Sequence, residues 1–118
     1  MHYSEKLLDY FENPRCVGEL EDADGTAEVS NPVCGDVMKL WVKVADGRVV
    51  DAAFKAHGCP AAIATSSFAT EMLIGLPLTE ARSITREAIA EALGGLPPSK
   101  VHCSVLASDA IHAALDEL

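Results

Sequence analysis

Between Val37 and Ala56 the chain alternates with a period of two, and this stretch constrains the fold more than any other. Met38, Leu40, Val42 and Val44 take one face, and Val37, Lys39, Trp41 and Lys43 the other. Asp46-Gly47 supplies the turn of a hairpin. Val50, Ala52, Phe54 and Ala56 then continue the apolar face on the return strand, with Asp51, Lys55 and His57 opposite. A ribbon with one apolar and one largely polar face is an antiparallel sheet covered by helices on one side. A third strand is expected around Ala27 to Ser30.

On either side the period becomes helical. Ser4 can cap a first helix whose stripe is Tyr3, Leu7, Leu8 and Phe11, and Asn13-Pro14 ends it. After Gly58, Pro60 suits a first helical position, and Ala61, Ala64, Phe68 and Met72 line one face as far as Gly75-Leu76-Pro77. Short helices are expected near 79–82 and 85–93, begun by Thr79 and Thr85. Leu96-Pro97-Pro98-Ser99-Lys100 is expected to be irregular, and a last helix to start near Ser104. The expected fold class is therefore α+β: a small antiparallel three-stranded sheet with helices packed on one face. No linker or repeat interrupts the 118 residues, so a single domain over 1–118 is expected.

Composition narrows the function. The formal net charge is −9, with six aromatic residues, which suits basic protein partners or cations and no nucleic acid. Neither a secretory h-region nor an apolar run of about 18 residues is present. The expectation is a cytoplasmic protein with reduced thiols and no membrane partner. Five acids without a base lie between residues 18 and 28, a solvated loop or a landing site for a basic partner.

The four cysteines differ in setting. Cys16 sits in a plain turn and reads as a bystander. Cys34 lies in the turn entering the hairpin, Cys59 between a strand end and a helix start, and Cys103 between the Pro-Pro segment and a helix start. A helix N-terminus favours thiolate, the form that binds soft metals and attacks sulfur. Gly35 and Gly58 flank two of these thiols and permit close approach. A strand's C-terminal end and the next helix's N-terminus share one edge of such a sheet. Cys34 and Cys59 should meet there, with Cys103 brought in by the fold. Asp36 and His102 are further ligand-capable neighbours. Three thiolates with one carboxylate or imidazole could hold Zn²⁺ or an iron–sulfur cluster. The gaps of 25 and 44 residues leave three readings open: a metal site, buried apolar cysteines, or a cysteine nucleophile paired with His102 or His57.

Taken together, these residues carry a likeness. From Tyr3-Ser4-Glu5-Lys6 through Asn13-Pro14-Arg15, Cys34-Gly35-Asp36-Val37-Met38-Lys39-Leu40, Gly58-Cys59 and Leu96 to Ser104, the chain resembles the NifU-type N-terminal domain, the IscU-like iron–sulfur cluster scaffolds. The resemblance implies an assembly scaffold and sulfur acceptor rather than an enzyme. Such proteins take persulfide sulfur from a cysteine desulfurase, combine it with iron, hold a transient [2Fe-2S] cluster and pass it to apo iron–sulfur proteins. It implies Cys34, Cys59 and Cys103 as ligands, Asp36 as the residue that keeps the cluster labile, and His102 as the neighbour of the last cysteine. Cys103 is the expected first persulfide acceptor. Leu96, Pro97, Pro98, Ser99 and Lys100 match the recognition site for Hsp70/J-type chaperones, although Ser99 stands where Val is common. Zn²⁺ is possible in the same site. The alternative within the likeness is a zinc-bound SufU-like sulfurtransferase partner of a desulfurase. No insertion is seen before Cys103, which favours the IscU-like branch.

Overall fold

In the computed structural model, residues 3–32 and 35–118 are described. Three strands, β1 (Gly25–Ser30), β2 (Val37–Ala45) and β3 (Arg48–His57), form one antiparallel sheet in the order β1-β2-β3. The hairpin turn is the expected one. Asp46 and Gly47 have φ of 53° and 75°, the pair of positive values that matches a two-residue loop to the twist of its strands. The register shifts once, between Lys43 and Val44, before Ala45 pairs with Arg48. β1 is longer than Ala27 to Ser30 because pairing continues to Gly25 opposite Val42.

The helices are α1 (Glu5–Glu12), α2 (Pro60–Leu73), α3 (Leu78–Arg82), α4 (Arg86–Ala92) and α5 (His102–Asp116). α2 and α5 cover the apolar face, α2 against β3 and α5 against β1 and β2, and α1 packs on α2. Met38, Leu40, Val42, Val49 and Phe54 from the sheet meet Leu7, Leu73, Ile89, Ile111 and Leu115 in one core. α2 is buried well beyond its expected stripe. Ala62, Thr65, Ser66, Ser67, Ala69 and Thr70 are buried too, because the helix lies between the sheet and α1.

Several local expectations are corrected. Val50, expected on the apolar face, is exposed and Val49 is buried in its place, beside the register shift at Lys43/Val44. Leu8 and Phe11 of the expected α1 stripe are exposed, and Tyr10 is buried with Leu7. Pro98–Lys100 forms a turn of 3-10 helix, since Pro98 stands at its start, where a proline N–H is not needed. That turn feeds straight into α5, which therefore begins at His102 rather than near Ser104. α3 is entered from Pro77 and begins at Leu78, without a side-chain cap from Thr79.

The outer face of the sheet is not simply polar. Trp41 is only 7% exposed there, bordered by Glu19, Leu20, Glu21, Ala23 and Thr26, with the Lys39 ammonium 5.1 Å from its ring centroid. The acidic loop is tied to this face: Lys43 pairs with Asp22, Lys55 with Glu19 at 2.9 Å, and Asp24 Oδ2 accepts the Val44 N–H at 2.8 Å. The free edge of β3 is occupied as well, by Cys16 and Gly18 bonding to Phe54, and by Gly75 and Leu76 bonding to Val49.

Candidate functional site

The described candidate residues Asp36, Cys59, His102 and Cys103 gather at one end of the sheet, where β2 begins and β3 ends. Asp36 precedes β2. Its backbone oxygen accepts the Asn31 N–H at 2.8 Å, and the Gly35 N–H reaches the Asn31 oxygen at 2.8 Å. Cys59 is the residue that caps α2, but its own side chain makes no capping bond. The Asp36 carboxylate takes that part: Oδ1 accepts the Cys59 N–H at 3.4 Å, placing negative charge at a helix N-terminus, where the helix dipole favours it. Cys103 is the second residue of α5, delivered by the Pro98–Lys100 turn.

One ligand atom from each of Asp36, Cys59 and Cys103 lies within 4.8 Å of the other two. Cys59 Sγ is 3.9 Å from Asp36 Oδ2, and His102 Nε2 is 3.5 Å from that same oxygen. His102 Nε2 has no accessible surface and no hydrogen-bond partner among the described residues. Two thiols and a carboxylate at one point, with an imidazole nitrogen 3.5 Å from that carboxylate, form a donor set suited to Zn²⁺ or iron. Cys34 lies outside the described residues. Cys16 is not in the group. It packs on the core with φ of 65°, and burial above all holds its thiol above the ordinary value. His57, on the solvent side, is exposed.

Electrostatics at the site differ from the helix-terminus expectation. Cys103 is 1% exposed, and burial pushes its thiol up from 9.0 to about 12, with the neighbouring Cys59 sulfur and the Asp36 carboxylate adding to the effect. Desolvation outweighs the opposing charge of Lys100 here. Lys100, the last residue of the segment expected to bind a chaperone, belongs to this neighbourhood. The Cys59 sulfur beside it holds its ammonium above the ordinary lysine value, and Tyr3 and Cys103 add to that. Lys100 is half-buried, as are Leu96 and Pro97, while Pro98 and Ser99 are exposed. Together with Tyr3, Ser4, Gly94 and Gly95, residues Leu96 to Ser99 wall a groove of about 750 Å³.

The profile of the NifU-like N terminal domain family matches residues 2–118. The chain belongs to this family. It is 58% identical over 113 residues to the iron-sulfur cluster assembly scaffold protein IscU of Archaeoglobus fulgidus, an alignment covering 96% of this chain and 74% of that one. To the protein of the same name from Azotobacter vinelandii it is 54% identical, over 98% of this chain and 92% of the other. The crystal structure of a nitrogen-fixing NifU-like protein (N-terminal) from Brucella abortus shares the fold with a TM-score of 0.78 at 23% identity, covering 97% and 92% of the two chains. The α+β class and the open three-stranded sheet under helices are thus those of this family.

Proposed function

We propose that this chain is a scaffold on which iron–sulfur clusters are assembled and from which they are passed on. The observation that carries the reading is the convergence of Asp36, Cys59 and Cys103, with His102 Nε2 beside the Asp36 carboxylate. It occurs in a chain more than half identical to proteins named as scaffolds. In this reading Cys34, Cys59 and Cys103 are the thiolate ligands, and Asp36 or His102 is the fourth donor. Iron and sulfur are substrates, and a [2Fe-2S] cluster is the cargo.

Sulfur arrives as persulfide from a cysteine desulfurase. A thiolate of the scaffold attacks the terminal sulfur, a new S–S bond forms as the old one breaks, and the donor leaves as thiolate, with no net oxidation or reduction. Two electrons per sulfur from an external reductant then yield sulfide. Cys103 is proposed as the first acceptor. Its burial means that the start of α5 must open and the thiol must lose its proton before it attacks.

Cargo that must leave is poorly served by four thiolates. A carboxylate is a harder donor and a weaker match for iron in a sulfide cluster, so Asp36 provides the exchangeable position. Leu96 to Lys100 are proposed as the recognition segment for Hsp70/J-type chaperones, supported by the exposure of Pro98 and Ser99. Apo iron–sulfur proteins are the proposed recipients. A zinc-bound sulfurtransferase is not favoured, since the relatives at more than half identity carry the scaffold name.

The test is anaerobic reconstitution with ferrous iron and sulfide, followed by visible absorption and by iron and acid-labile sulfide content. Charge-transfer bands with iron and sulfide in equal amounts are expected. Tight zinc that stimulates a desulfurase without any cluster forming would overturn the scaffold reading.

A further inference from the structure

We propose that Gly58 is a positioning residue of this site: its missing side chain makes the space in which the Asp36 carboxylate lies over Cys59. The inference rests on Asp36 being part of the functional site as read above.

A Cβ placed on Gly58 would collide with Asp36 Oδ1, and would also lie 2.7 Å from Asp36 Cγ and 3.1 Å from Asp36 Cβ. The clash includes Cγ as well as the oxygen, so turning the carboxylate about its own axis does not relieve it; the whole carboxyl group must swing away about χ1, while the contact with Asp36 Cβ asks for only a small shift. Asp36 has nowhere close to retreat. It is 3% exposed, its backbone oxygen is bonded to Asn31, and its carboxylate is engaged with the Cys59 N–H and faces His102. At Gly35, Gly47 and Gly75 an added Cβ meets nothing within 4 Å, and the crowded positions at Gly25 and Gly94 face the Ala114 carbonyl and the Ser4 side chain, not a ligand-capable residue.

The consequence concerns which donor a metal meets. With glycine at this position, the carboxylate occupies the N-terminus of α2 between Cys59 and His102. In Gly58→Ala the carboxylate is expelled, and His102 or solvent is left to complete the site. Gly58→Ala should therefore copy Asp36→Ala. Gly58 also has φ of 153°, which a side chain disfavours whatever its neighbours. The test must separate that backbone strain from the carboxylate.

A double-mutant cycle does so, using the wild type, Gly58→Ala, Asp36→Ala and the double variant. The probes are Co²⁺ alone, read by its ligand-field and sulfur-to-cobalt bands, and Zn²⁺ alone, read by its rate of release to a chelator. In the wild-type background Gly58→Ala should move the cobalt spectrum toward that of Asp36→Ala. It should change zinc release roughly tenfold, in the same direction as Asp36→Ala. Added to Asp36→Ala, it should leave the spectrum unchanged and the rate within about twofold. Equal changes in both backgrounds, or none in the wild type, would overturn the proposal. If Gly58→Ala does not fold, recovery of folding in the double variant supports it, and failure in both backgrounds sinks it. Should iron and sulfide fail to assemble on the wild type, the scaffold reading falls while the zinc and cobalt results still decide the role of Gly58.

Discussion

Asp36 holds the Cys59 N–H with one carboxylate oxygen and faces both the Cys59 sulfur and His102 with the other. A group so placed can enter and leave a metal's coordination with small movements. Asp36→Ala is accordingly expected to lengthen the life of an assembled cluster and slow its transfer, measured as decay of cluster absorbance under equal oxygen and chelator exposure. Faster decay would show that the carboxylate holds the cluster. Cys59→Ala and Cys103→Ala should prevent stable assembly. The two thiols differ before any metal is bound. Cys103 is buried and its thiol is pushed up to about 12, whereas Cys59 is half exposed. With iodoacetamide at neutral pH, mass mapping should find Cys59 alkylated well before Cys103. The reverse order would mean that the start of α5 opens readily.

Among the elements, α1 is fastened at its first turn. Ser4 Oγ accepts the Leu7 N–H at 3.0 Å and donates to the Leu93 oxygen at 2.8 Å, and Lys6 Nζ reaches the Ala92 oxygen at 2.8 Å. One hydroxyl thus caps α1 and ties it to the end of α4, beside the groove walled by Leu96 to Ser99. Ser4→Ala should cost about 1 kcal/mol in denaturant unfolding, the usual worth of a cap. A loss near zero would mean that solvent replaces both bonds. The proposed recognition segment ends at Lys100, which lies beside Cys59. Changes within Leu96 to Lys100 are expected to abolish stimulation of an Hsp70-type ATPase. An indifferent ATPase would reduce the segment to a connector that steers Cys103.

Over the whole molecule, charge is more neatly paired than a net −9 suggests, since Arg15, Lys43, Lys55 and Arg86 each meet a carboxylate. These pairs are exposed and each contributes little. A more consequential link joins α1 to α2: the Tyr10 hydroxyl donates to Glu71, the ring meets Phe68 edge-on at 5.2 Å, and Arg15 lies 4.0 Å from the ring centroid. Burial first, and then the bond to Glu71, push the Tyr10 hydroxyl up from 10.0 to about 12. The folded state therefore holds this proton more tightly than the unfolded chain. The stabilisation is complete below pH 10 and is lost as pH rises through about 12. Urea midpoints should fall across that window, and the part due to Tyr10 should vanish in Tyr10→Phe. An unchanged slope in that variant would assign the alkaline loss elsewhere.

The period of two along β2, the Asp46-Gly47 turn, the Ser4 and Thr85 caps and the start of α2 at Pro60 were legible because each is set by residues a few positions apart, whereas the register shift that buries Val49 and exposes Val50 was not. The ordered set of short motifs identified the family for the same reason. Local rules misjudged the proline segment, since a proline that breaks a helix interior can begin a 3-10 turn. Other features depend on packing between distant segments. Trp41 is covered because the acidic loop folds back over the sheet, and the Cys103 thiol is pushed above its ordinary value because the core closes around it. Cys59 and Cys103 are 44 positions apart, and no periodicity measures that distance in space. Bringing them to Asp36 took the sheet's strand order and the seating of α2 and α5 on one face, which depend on how whole surfaces fit. The sequence names the donors, but only tertiary packing decides which of them share a point and how much water each one sees.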